Sequence, residues 1–400
     1  MGFGVYIAFD EAQESLRNEL REYYATTLTP EVRARLAGHR GVGPEMRSVW
    51  KQMCADGWSG IGWPKEYGGQ ERTAIDQFIF FDESMRAGAP VPMLSLNTVG
   101  PTIMNFGTQE QKDFFLPKIL AGDLHFSIGY SEPEAGTDLA SLRTRADIDG
   151  DELVINGQKL WTSLASDADW CWLAVRTNQE VKKHKGISIV LVPLKDELGN
   201  RTPGIEVQPL RMLLDHDLNA VYYNDVRVPL ANVVGGIDNG WSLITKQLNH
   251  ERVTLCSSGL LQRILGIVVD WAREAKLADG RRVIDQEWVQ MTLARVHAWV
   301  EFLKLINWKV AWSATEERLE VADASTTKVF GTEHYMKAIE LLAEVVGESA
   351  YVVGGPGMAI NGQLDHYMRG LLPLTFGGGV NEVQRDLIAT FGLGMPRSSR

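Results

Sequence analysis

Three cysteines in 400 residues, Cys54, Cys171 and Cys256, are too few and too scattered for a disulfide framework, and they fit no zinc spacing. They are expected to be small buried hydrophobes, and no residue is nominated as a metal ligand. No apolar run approaches the ~18 residues that span a bilayer. The acidic start at Asp10 and Glu11 does not suit a secretory signal. A basic surplus is also missing: 40 Lys and Arg against 51 Asp and Glu give a net charge of −11, with no positive footprint for a phosphate backbone. Neither nucleic acid nor membrane is expected as a partner, and a reducing cytoplasm is the simplest location.

What is present is the composition of an ordinary globular chain, 44% hydrophobic and 23% charged, long enough for a large core and for two or three domains. From about residue 10 to 120 apolar residues recur at spacings of three and four, as in Leu16, Leu20, Tyr23 and Phe78, Phe81, Met85. Thr108 and Gln111 form a capping-box signature ahead of Asp113 to Leu120. Period two then takes over, and Glu152 to Gln158, Trp170 to Arg176, Ile187 to Val192, Ile205 to Pro209 and Ala220 to Val226 are predicted strands. Helical spacing returns after Gly240. There Ile284, Trp288, Met291, Val296, Trp299, Leu303, Ile306 and Val310 are predicted to form one apolar stripe. This order predicts an α+β chain: an N-terminal helical domain over 1–122, a middle β domain over 123–235 and a C-terminal helical bundle over 236–400.

Two segments carry most of the chemistry. Phe126 to Asp138 offers short hydroxyls, Ser131 and Thr137, with glycine-permitted backbone N–H groups that suit a planar, acceptor-rich ring such as a flavin. Gly157 to Ser163 adds a large aromatic surface, Trp161, with a hydroxyl two residues on. The pair resembles the two flavin-contacting motifs of the acyl-CoA dehydrogenase family. The resemblance runs over nearly the whole chain, through Gly62-Trp63-Pro64, Tyr67-Gly68-Gly69, Asp225 to Pro229 and Asn381-Glu382-Val383-Gln384-Arg385. It implies that fold, with a barrel or sandwich in the middle, and FAD as cofactor. The implied FAD contacts are Tyr130, Ser131, Glu132, Pro133, Thr137, Trp161, Thr162, Ser163, Val380, Asn381 and Glu382.

Dehydrogenation beside a thioester needs a base for the α-proton, hydrogen bonds to the thioester oxygen and an acceptor for the β-hydride. In the largest branch of the family the base is a glutamate just ahead of the final Gln-Arg pair, and alignment on Gln384-Arg385 puts Gly378 there. A smaller branch carries its glutamate in a Glu-Arg pair on a central helix. This chain has Glu251-Arg252 at that place, so the resemblance makes Glu251 the base. Asn249, Arg252, Gly378 and Gly379 are the expected substrate contacts, Arg252 being equally well explained as a surface ion pair. His250 points about 100° away from its neighbour on a helix and is expected to be packing. The glycines at 377–379 lack the strand and spacing of a dinucleotide fingerprint, and Gly354 to Gly357 fits a turn.

The chain also departs from the family. Homo-oligomeric members hold the adenine-pyrophosphate half of FAD with Arg-x-x-Phe-Gly and Gln-x-x-Gly-Gly-x-Gly segments of a neighbouring subunit. Here Asp279 to Asp285 has no Phe-Gly, and Glu344 to Ala350 places Glu344 and Glu348 where a pyrophosphate would sit. Like charges there cost several kcal/mol in a partly dry site. The pattern resembles the base-carrying subunit of α2β2 acyl-CoA dehydrogenases acting on steroid side-chain CoA thioesters. The resemblance implies a second family subunit, an electron-transfer flavoprotein as oxidant and a bulky, cholesterol-derived acyl group. Val380 stands where threonine is usual, removing one flavin hydrogen bond. An oxidase or monooxygenase on the same scaffold and a non-catalytic partner subunit remain as alternatives.

Overall fold

The computed structural model describes residues 7–38, 43–213, 218–254, 256–316, 318–352 and 359–396, and gives the backbone alone for 37–38, 248–254 and Asn361. The chain opens with six helices: α1 (Glu11–Thr27), α2 (Pro30–Gly38), α3 (Pro44–Ala55), α4 (Ala74–Ala87), α5 (Gly100–Phe106) and α6 (Gln109–Leu120). Three begin in capping boxes, at Asp10 and Gln13, Thr73 and Asp76, and Thr108 and Gln111. The Gly62-Trp63-Pro64 and Gly68-Gly69 segments fold onto each other so closely that a Cβ at Gly69 would lie 2.1 Å from the Trp63 carbonyl oxygen, and only glycine fits. Trp63 is thereby buried, its indole donating to Leu96 O at 3.0 Å.

Eight strands follow: β1 (Phe126–Gly129), β2 (Arg145–Asp149), β3 (Glu152–Ser163), β4 (Trp170–Arg176), β5 (Ile187–Pro193), β6 (Ile205–Leu210), β7 (Leu218–Pro229) and β8 (Val233–Val234). They form one sheet in the order β6-β7-β3-β2-β4-β5-β8, with β1 parallel to β4. β4 and β5 are apolar at nearly every position because both their faces are covered. Cys171, Leu173, Val175, Val190 and Val192 pack inside the sheet, whereas Trp172, Ala174, Ile187, Ile189 and Leu191 join the core of the N-terminal helices.

The remaining helices are α7 (Gly240–Thr254), α8 (Ser258–Glu274), α9 (Glu287–Thr315), α10 (Val321–Val346), α11 (Gln363–Gly370) and α12 (Asn381–Leu387). The stripe expected on α9 is corrected in its first turns. The buried face runs through Val289, Leu293, Val296, Val300, Leu303 and Val310, and Ile284 precedes the helix. Trp288 and Met291 lie exposed with Phe302, Leu305 and Trp312 on another face. Apolar residues on both faces of one helix blur a 3.6-residue period. No helix among the described residues is long and apolar enough to cross a membrane.

Candidate active site

The two hydroxyl-bearing segments meet. Leu160 N–H donates to Ser131 O at 2.9 Å, so the loop after β1 runs alongside the end of β3. Pairing of β3 with β7 slips between Lys159 and Thr162, and the resulting bulge holds Trp161 at φ +63°, a left-handed conformation costly for a bulky residue. Trp161 is 52% exposed, an aromatic face held out from a rigid strand. Ser131 is half-buried, and Thr137, Pro133 and Ser163 are exposed. Thr162 is buried. Its Oγ1 has no hydrogen-bond partner among the described residues, and its carbonyl accepts from Asn219 Nδ2 at 2.9 Å.

Glu132 and Asn381, both expected at the cofactor, turn their side chains inward. Glu132 Oε1 accepts from Lys159 Nζ at 2.7 Å and from Thr144 N at 2.8 Å, and Oε2 accepts from Arg143 N at 2.6 Å. Burial pushes the Glu132 carboxyl up, but the Lys159 ammonium and the Thr144 hydrogen bonds outweigh it and hold the group below the usual carboxylate range. Lys159 is fully buried and also donates to Tyr130 O at 3.1 Å, so the pair pins the loop from behind. Asn381, at the start of α12, accepts from Lys328 Nζ at 2.6 Å and donates to Thr332 Oγ1 at 3.1 Å. Lys328, buried on α10, also donates to the carbonyls of Thr375 (2.9 Å) and Gly379 (2.8 Å). This clamp shapes the glycine loop, in which Gly378 and Gly379 take φ +68° and +94°. Val380 is half-buried and Glu382 exposed.

α7 closes the site. It packs on α10, on β5 and on the Ser95–Val99 turn, and it is bonded to the loop after β1 through Tyr130, whose hydroxyl donates to Gln247 Oε1 at 2.5 Å. Position 251 is one turn beyond Gln247 on the same side of the helix. The side chains of Asn249, His250, Glu251 and Arg252 lie outside the described residues, as do Gly354 to Gly357. Just beyond α7, Asp82 of α4 fixes the start of α8, its Oδ1 accepting from Ser257 Oγ, Ser258 Oγ and Gly259 N at 2.8 Å each.

Sequence models of the acyl-CoA dehydrogenase N-terminal, middle and C-terminal domains match residues 10–123, 127–226 and 238–393. The chain belongs to the acyl-CoA dehydrogenase family. It is 54% identical to acyl-CoA dehydrogenase FadE26 of Mycobacterium tuberculosis, over 98% of this chain and 100% of that protein. It is 45% identical to FadE29 of the same organism, over 99% and 100%. Among solved structures it resembles the ChsE4-ChsE5 complex from M. tuberculosis, with 53% identity, TM-score 0.89 and coverage of 98% of this chain and 100% of that one. It also resembles the Tcur3481-Tcur3483 steroid ACAD, with 46% identity, TM-score 0.90 and the same coverage.

Within this acyl-CoA dehydrogenase fold, sequence reasoning passed over Gln247, Lys159, Lys328 and Asp82. A lysine among apolar strand residues at 159 and one directly after the small-residue run Ala324 to Thr327 were the available signals, since an unpaired buried lysine is not tolerated. Gln247 carried no such signal.

Proposed function

We propose that this chain is the base-carrying subunit of an FAD-dependent dehydrogenase that introduces an α,β-double bond into a bulky acyl-CoA thioester. The observation that carries the cofactor assignment is the half-exposed Trp161, held in a left-handed backbone beside Ser163, its neighbour Leu160 hydrogen-bonded to Ser131 in the loop after β1. Strain of this kind persists where the surroundings over-determine it, and an exposed aromatic platform flanked by the hydroxyls of Ser131 and Ser163 fits an isoalloxazine. Ser131, Thr137, Trp161 and Ser163 would hold that ring with the loop backbone, and Glu132 and Asn381 would act behind it by fixing the loops. Bound there, FAD supplies the acceptor for the β-hydrogen. Glu251 removes the α-proton, and the bound acyl chain would keep water from it. Asn249, Arg252, Gly378 and Gly379 border the substrate, and an electron-transfer flavoprotein takes the electrons onward.

The pyrophosphate half of FAD points to a different subunit. Arg281 and Arg282, in the segment that grips it in homo-oligomers, are occupied by Asp279 at 2.6 Å and Asp285 at 2.7 Å. Glu344 and Glu348 stand exposed at the end of α10. The exposed face of α9, with Trp288, Met291, Phe302, Leu305 and Trp312 each 46% to 64% accessible, offers the apolar surface such a partner would cover. The similar ChsE4-ChsE5 structure is of a complex, and the Tcur3481-Tcur3483 relative is a steroid ACAD, which supports a heteromer and a steroid-derived acyl group.

The test is E251Q in the flavin-loaded complex, assayed with the CoA thioester of a cholesterol-derived side-chain acid and a ferrocenium acceptor. Turnover should fall by about 10²-fold or more with FAD content unchanged. Equal turnover would overturn the assignment of the base. Stoichiometric FAD in the chain purified alone, as a homotetramer, would overturn the heteromer.

A further inference from the structure

A cavity of about 440 Å³ opens where α1 and α4 meet α8 and α9. None of the described residues assigned to flavin or substrate lines it. Its walls are helix stripes at spacings of three and four, with Leu265, Val269 and Arg273 on α8 and His297, Val300 and Lys304 on α9. Phe78 and Ile79 of α4 add apolar surface. Apolar walls, a few charged groups and this volume suit an organic ligand.

Gly266 sits within the α8 stripe, one turn from both Gln262 and Val269, which also line the cavity. The middle of a helix is an unfavourable place for glycine. Neither backbone nor packing asks for one here: its φ is not positive, and an added Cβ would meet nothing within 4 Å. Gly259 and Gly331, inside α8 and α10, are the opposite case, since a Cβ would lie 1.9 Å from Asp82 O and 2.5 Å from Cys256 Cβ. Those two let chain segments touch. Gly266 keeps a space open.

The cations around this space have donors to spare. Glu83, buried on α4, takes Arg21 on its two oxygens at 2.7 and 3.0 Å and Arg86 Nε at 2.7 Å. Arg17 is left at the edge: its Nη1 donates to Glu14 at 3.1 Å, but its Nε stands 3.8 Å from Glu83 Oε1 and has no hydrogen-bond partner among the described residues. Arg273 is paired with Asp270 at 3.2 Å, whereas Lys304 Nζ stands 4.0 Å from Glu301, beyond hydrogen-bond reach. Asp270 and Glu301 line the cavity too and would repel a second negative charge, so the head that suits Arg17 and Lys304 is singly charged. We propose that the cavity binds an amphiphilic carboxylate, its head on Arg17 and Lys304 and its apolar body along Leu265, Val269 and Val300 past Gly266. The site does not depend on how the dehydrogenation chemistry is assigned.

The experiment titrates octanoate into the full chain by calorimetry, below its micelle-forming concentration, with octanol as a body without a charged head and acetate as a head without a body. One octanoate per chain should bind, and both controls should bind at least about tenfold more weakly, the scale of a charge-assisted hydrogen bond or a buried apolar chain. G266L fills the space from an unobstructed Cβ, and R17M/K304M removes both cations while Glu83 keeps Arg21 and Arg86. Each should weaken octanoate at least about tenfold, and G266L should melt no lower than wild type, since leucine favours the helix. Octanoate held elsewhere in the chain, an acyl pocket included, would be indifferent to both variants, and that result overturns the proposal. So does octanol binding as tightly as octanoate, or the lack of any saturable binding.

Discussion

Lys159→Met is the most exacting test of how the candidate flavin loop is built. Lys159 is fully buried and bonded to Glu132, which is 8% exposed. Removing the ammonium leaves the carboxylate with its backbone donors from Arg143 and Thr144 but without its bonded counter-charge. Removing one partner of a buried pair costs about 3–5 kcal/mol. The cost falls on local opening of the Tyr130–Glu132 loop against β3, where Leu160 N–H donates to Ser131 O. At about 1.4 kcal/mol per factor of ten, amide exchange at Leu160 should quicken between about a hundredfold and a few thousandfold. Two controls sharpen the assay. In K159M/E132Q the buried charge is gone and most protection should return. The carboxyl of Glu132 is held low in the wild type, so its stabilisation is present above the unfolded value of about 4.3 and lost as pH falls through the folded value. In K159M burial is left without the Lys159 opposition, the folded value rises, and the defect should narrow as pH is lowered. Unchanged exchange in K159M, or equally fast exchange in both variants, would refute the assignment of the pair as the anchor of the loop.

Trp161→Gly should relieve the left-handed backbone, raising local stability by about 1 kcal/mol, while weakening FAD binding at least tenfold; calorimetry and flavin titration read the two effects with opposite sign. His125 is buried with its ring pushed down to about 4, first by desolvation and then by Arg47. Its folded pKa lies below the unfolded value of about 6.5, so stability should fall by about 3 kcal/mol as pH drops from 6.5 toward 4, and H125L should flatten that part of the urea-midpoint profile. Burial pushes the thiols of Cys54 and Cys256 up to about 12, and that of Cys171 up as well. A disulfide-exchange reagent at pH 8 should therefore find all three thiols slow until denaturant is added, and a fast native thiol would contradict their burial.

Local patterns made much of this fold legible. Capping boxes, the two-residue period and the turn residues depend on neighbours in the chain, and the corresponding helices and the five predicted strands are present. β1, β2 and β8 were not among them, because β1 borrows its sequence from a loop motif, β2 buries only Ala146 and β8 is two residues long. α9 misled in its first turns because Trp288 and Met291 are as apolar as the core yet exposed. At the site, Trp161 and its hydroxyl neighbours could be nominated from type and spacing. The inward turn of Glu132 and Asn381 could not, since Lys159 is 27 residues from the first and Lys328 is 53 from the second. Long-range partners of this kind leave no periodic trace. Gln247 was invisible for the same reason, its partner Tyr130 lying 117 residues away.

The double-sided burial of β4 and β5 bears on how such chains can be recombined. Trp172, Ala174, Ile187, Ile189 and Leu191 belong to the core of the N-terminal helices as fully as to their own strands. A middle segment cut out at the sequence boundaries would carry a raw hydrophobic face into water. One transplanted between relatives would bring half of a jigsaw whose other half was left behind. Chimeras should therefore tolerate crossovers between α6 and β1 poorly, and exchanges should succeed in blocks that follow packing, not domain borders.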